Sequence, residues 1–108
     1  MATRPQRAYY RIRNPVGERP RLAVGGRSAE VLDVAEYRLS FVAGELGEVD
    51  EGQRLWGTLH IGDRWTVEVD GDVVRTREAH AAVRLRSPIP FKIILDEQLY
   101  LRAHYARE

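Results

Sequence analysis

The sequence predicts an all-β fold with one C-terminal helix, in the form of a six-stranded antiparallel barrel. Three observations carry this prediction. Six short runs alternate apolar and polar residues, the pattern of strands with one buried face. Turn residues, not helical segments, separate the runs, so neighbouring strands join as hairpins and not as parallel crossovers. After Pro88 and Pro90 the apolar period changes from two residues to that of a helix. Closing such a sheet hides its edge strands. The chain has 108 residues, enough for one domain with one modest core.

The elements follow in order. Residues 1–18 show no clear period and read as a flexible Arg-rich N-terminal arm, leaving residues 19–108 as the barrel and its helix. Within the arm, Ala8 to Ile12 can be briefly extended, and Asn14-Pro15-Val16-Gly17 is turn chemistry. Arg19 to Val24 reads as the first strand, and Gly25-Gly26 as a tight hairpin turn. Arg27 to Val34 is the second strand and Tyr37 to Ala43 the third. Gly44 to Gly52 is an acidic loop. Arg54 to Ile61 is the fourth strand. Arg64 to Val69 is the fifth, with Trp65, Val67 and Val69 on one face. Asp70-Gly71-Asp72 is either a turn or a bulge in one long bent strand that continues through Val73 to Arg77. Ala81 to Arg86 is the last strand, with Val83 and Leu85 inward. A helix begins at about residue 90 and runs from Phe91 to Ala106. Phe91, Ile94, Leu95, Leu101 and Tyr105 line its apolar face, widened by Ile93, Leu99 and Tyr100. That helix either plugs one end of the barrel or offers surplus apolar surface to a second copy or a partner.

Composition narrows the function classes. The formal charge is only +1, so no global basic field points to nucleic acid. The charge is uneven, however. Arg4, Arg7, Arg11, Arg13, Arg19 and Arg21 crowd the front of the chain against Glu18 alone. Lys92 is the sole lysine, and arginine's planar fork favours phosphate and carboxylate, although codon bias produces the same excess. There is no cysteine, which removes disulfides and thiolate metal sites and suits the cytoplasm. No apolar run reaches the length of a membrane span, and no apolar segment follows the basic N-terminus as in a secretory signal.

Arg7 and Arg11 are four residues apart. Both point the same way in an extended segment, and they are neighbours in a helical turn. They form either a converging pair for a phosphate or guanine edge, or a solvated basic tail. Asp33 interrupts the apolar run Val31-Leu32-Asp33-Val34 just before a corner. It either caps its own turn or accepts the N1 and N2 donors of a guanine. Arg38 lies beyond the corner, where it can stack on a base or meet a phosphate. The histidines His60, His80 and His104 lack metal-ligand spacing, and no serine stands in a nucleophile-elbow context, so no enzyme is expected. Trp56 and Trp65 read as packing residues in preference to a stacking platform.

These motifs together resemble the PilZ domain, the bacterial receptor module for cyclic di-GMP. Arg7-Ala8-Tyr9-Tyr10-Arg11 matches the family's Arg-x-x-x-Arg element, and Asp33 opens the segment that corresponds to Asp-x-Ser-x-x-Gly. The likeness extends through Glu18-Arg19-Pro20, Gly71 to Arg75, and the tail from Ile89 to Leu101. It implies the six-stranded barrel and a ligand site of Arg7, Arg11, Asp33, Ala35 and Arg38, with Tyr10 and Arg75 adjacent. It also implies cyclic di-GMP as ligand, held alone or as an intercalated dimer, with no cofactor or metal. Two positions depart from the motif: Ala35 stands where serine is expected and Arg38 where glycine is expected. The resemblance leaves two functions open. One is a cyclic di-GMP receptor in signal transduction. The other is a degenerate domain that no longer binds the nucleotide and acts through a regulatory protein partner, as a monomer or as a weak homodimer through the helix.

Overall fold

The computed structural model describes residues 12–13 and 19–105, with seven strands and one helix. The strands are β1 (Ile12–Arg13), β2 (Arg21–Val24), β3 (Arg27–Ala35), β4 (Arg38–Val42), β5 (Arg54–Ile61), β6 (Trp65–Arg77) and β7 (His80–Leu85), followed by helix α1 (Phe91–Tyr105). Hydrogen bonding runs β3-β2-β5-β6-β7-β4 and returns from β4 to β3, which closes an antiparallel barrel of six strands. The two-residue β1 adds to the edge of β3 beyond the end of β2, with Ile12 opposite Val34 and Arg13 opposite Asp33. The remaining arm residues, 1–11 and 14–18, lie outside the described residues.

The turn chemistry explains the connections. Gly25 and Gly26 adopt φ of +57° and +86°, the left-handed pair that matches the twist of a two-residue hairpin. At the opposite end of β3, Glu36 and Tyr37 form the turn into β4. Between β4 and β5 the acidic loop makes one 3-10 turn, Ala43–Leu46, and lays Leu46 and Val49 against the core. Trp65 to Arg77 is one continuous strand, so Asp70-Gly71-Asp72 is neither a turn nor a bulge but stays in register with β5 and β7.

The core is built from the inward sides of all six barrel strands. Leu22, Val31, Leu39, Phe41, Leu59 and Val83 are almost wholly buried. Gly57 and Gly71 mark where the sheet folds tightly on itself. A Cβ on Gly71 would stand 2.4 Å from the Arg84 carbonyl oxygen, and one on Gly57 would stand 2.6 Å from that of Ala23.

Helix α1 covers the end of the barrel that holds the β3–β4 turn. The segment leading to it is tied there by the amides of Leu85 and Ile89, which donate to the Tyr37 and Glu36 carbonyls. Ile89, Ile93 and Ile94 complete the core. The buried stripe differs from the expected one, because it runs through a charged residue. Glu97 is 1 % exposed, whereas Leu95 and Leu99 are 40 % and 51 % exposed. Arg64, from the β5–β6 turn, donates to both Glu97 carboxylate oxygens, with Nη2 at 2.8 and 2.6 Å. Its guanidinium also stacks 3.6 Å from the Tyr100 ring centroid. This pairing lets a carboxylate occupy a position that hydrophobic periodicity assigns to an apolar side chain.

Candidate ligand-binding face

Two bulges decide which residues reach the outer wall. In β3, Val31 pairs with Phe41 and Asp33 with Ser40, so Leu32 is an extra residue. In β6, Val73 pairs with Val83 and Arg75 with Ala82, so Val74 is an extra residue. Side chains alternate along a strand, and each inserted residue reverses the alternation. Ala29 and Val31 are buried, so an unbroken β3 would turn Asp33 inward as well. With the bulge, Val34 takes the inward position at 0 % exposure and Asp33 faces out, half-buried. The same switch after Val73 leaves Arg75 exposed.

The strand register then assembles two neighbouring rows across the wall. One row runs Asp33, Ser40, Ala82, Arg75. At its β3 end the β1 backbone adds Arg13 opposite Asp33. The second row runs Ala35, Arg38, Arg84, Asp72, Arg54. The expected site residues Asp33, Ala35 and Arg38 therefore share one hairpin end, and Arg75 joins Asp33's row from the far side. Arg7, Tyr10 and Arg11 lie outside the described residues.

The environments of these residues differ. Ala35, one of the expected site residues, is only 7 % exposed and so nearly covered. Arg38 is exposed and belongs to an extended strand. Among the described residues Glu78 is the only non-glycine with positive φ, so Arg38 bears no left-handed strain. Tyr37, at the turn, is 52 % exposed.

At the far end of the Arg38 row, two bidentate ion pairs organise the wall. Arg54 donates to both oxygens of Asp70 at 2.9 and 2.8 Å. Arg86 donates to both oxygens of Asp72 at 3.0 and 2.9 Å. These guanidiniums hold the two carboxyls below the usual carboxylate range, and the Asp70 and Asp72 carboxylates raise Arg54 and Arg86 in turn, hydrogen bonding being the largest cause in each case. Arg54 also lies 4.6 Å from the Trp56 ring centroid. Trp56 is 64 % exposed and does not pack in the core, contrary to expectation, because its strand parity opposes that of Leu55 and Leu59. Trp65 does pack against the core. His60 is exposed, as its strand face predicts.

Sequence reasoning passed over Arg84 and Ser40. Their outward direction is readable from the alternation in β7 and β4. That they adjoin Arg38 and Asp33 depends on the pairing of β4 with β7, for which no local signal exists. Among the described residues no cluster of side chains has the makings of a metal site, and no helix is long and apolar enough to cross a membrane.

No family model matches the chain, and no curated protein matches it either.

Proposed function

We propose that this chain is a PilZ-type receptor module for cyclic di-GMP, with Arg7 and Arg11 clamping phosphate and guanine against Asp33. The pairing of Ile12–Arg13 with Asp33–Val34 is the observation that carries this reading. Because β1 is antiparallel to β3, its N-terminal end is directed towards Ala35 and the β3–β4 turn. Arg11 is one peptide bond before Ile12. Arg7 is five residues before it, a reach of about 17 Å at full extension. Both guanidiniums are thus tethered within range of Asp33 and Arg38. In the bound state each guanidinium fork takes a phosphate or a guanine acceptor, and the Asp33 carboxylate accepts the guanine N1 and N2 donors. Closure of the arm's arginines on the ligand changes the surface offered to a regulatory partner.

Ala35 withholds the hydroxyl of the motif. The partner left unpaired costs about 1–3 kcal/mol, roughly tenfold to a hundredfold in affinity. The near-complete burial of Ala35 favours the second reading, a degenerate PilZ domain that works through protein contacts. The exposed Trp56, Leu95 and Leu99 offer apolar surface for such contacts, including a weak homodimer through α1.

Titration calorimetry with cyclic di-GMP separates the two. On the receptor reading the wild type binds, and Arg7→Ala or Arg11→Ala weakens binding by about tenfold or more with an unchanged circular dichroism spectrum. Absence of heat up to about 100 µM ligand, corresponding to roughly −5.5 kcal/mol, removes the receptor reading. In that case Ala35→Ser combined with Arg38→Gly is expected to create binding.

A further inference from the structure

Among the described residues, the outer wall carries two arginines that no ion pair engages. Arg38 and Arg84 stand directly opposite one another across the β4–β7 ladder, both exposed. Such partners have Cβ atoms about 4.5–5.5 Å apart, and like charges at that spacing repel. On its other side Arg84 faces Asp72, but both Asp72 oxygens are engaged by Arg86. The next carboxylate, Asp70, is engaged by Arg54 in the same way. Neither Arg38 nor Arg84 makes an ion pair among the described residues.

The adjoining row makes room beside this pair. Ser40 and Ala82 are opposite one another and small, and Arg75 is exposed beyond Ala82. Three arginines thus border a floor of two short side chains, with Asp33 at the opposite edge.

We propose that Arg38 and Arg84 form a second phosphate clamp, with Arg75 at its rim, that holds a phosphodiester group of the cyclic dinucleotide. The inference rests on the receptor reading above. One phosphate between the two guanidiniums replaces their repulsion with two charge-assisted contacts, and each fork matches a pair of phosphate oxygens. On this account Arg38, the departure from the motif's glycine, is a binding residue, and Arg84 completes its site. The strands of Asp33 and Arg84 are two strand spacings apart, about 10 Å, so a base at Asp33 and a phosphate at the clamp belong to one ligand assembly.

The test is calorimetric titration of cyclic di-GMP into wild type, Arg84→Ala, Arg84→Gln, Arg38→Ala and Arg77→Ala. Arg77 is exposed at the opposite end of the barrel and controls for loss of one charge. Each substitution at Arg38 or Arg84 is expected to weaken binding about tenfold and to flatten its salt dependence, while Arg77→Ala changes affinity less than about twofold. Thermal melts of the free Arg84 variants should lie no lower than the wild type, because a repulsion has been removed. Wild-type binding that persists unchanged in both Arg84 variants overturns the clamp and spares the receptor reading. A wild type that does not bind overturns both.

Discussion

At the residue scale, the least expected side chain is Glu97. Its carboxylate is buried and depends on Arg64, which is itself about a third exposed, at 31 %. Removing one partner of such a pair strands a buried charge, and the loss exceeds any benefit the intact pair confers. Arg64→Ala is therefore expected to lower unfolding free energy by about 3 kcal/mol in urea titration. Replacing both residues with apolar side chains should recover most of that loss. A loss from Arg64→Ala below about 0.5 kcal/mol would mean that water reaches the Glu97 carboxylate. Arg38 makes a complementary point. Its place in an ordinary strand shows that it carries its charge without straining the backbone.

At the element scale, β3 and β6 control the candidate site through their bulges. Each strand begins with one set of residues inward and ends with the opposite set inward. Asp33 and Arg75 stand just past the two reversals. The tight fold at Gly71 holds β7 against β6, with the Arg84 carbonyl in the space a methyl group would need. Gly71→Ala should cost about 1–3 kcal/mol in stability, since the obstacle is backbone and cannot rotate away. If the clamp is correct, the same substitution shifts β7 and weakens cyclic di-GMP binding as well. Chemical denaturation and calorimetry on one preparation read both effects.

At the scale of the whole molecule, closure of the barrel brings together residues that are distant in the chain. The β2–β5 and β4–β7 ladders, with the return from β4 to β3, turn six hairpin-prone strands into one surface with a capped end. The pH dependence of stability belongs here, because the Arg54–Asp70 and Arg86–Asp72 pairs bridge β5, β6 and the exit of β7. Asp70 and Asp72 have folded pKa values below their unfolded values. Their contribution is therefore complete above the ordinary carboxylate range and is lost as pH falls through the depressed folded values. Wild-type stability should decline on acidification below about pH 4. The Asp70→Asn, Asp72→Asn double variant should show a shallower acid limb in pH-jump thermal melts. An unchanged acid limb would assign acid sensitivity to other carboxylates.

The strands, their hairpin turns and the closing helix were legible because they depend on neighbours in the chain. The alternation in Arg54 to Ile61, the Gly25-Gly26 turn and the change of period after Pro90 are all local. So was the candidacy of Asp33, an acid set in an apolar run. The bulges at Leu32 and Val74, the burial of Glu97 and the meeting of Arg38 with Arg84 were not legible. Each depends on which strand or turn lies alongside, and that is settled by packing of the whole core and closure of the barrel. A local pattern states which way a side chain faces, and only the assembled sheet states what it faces.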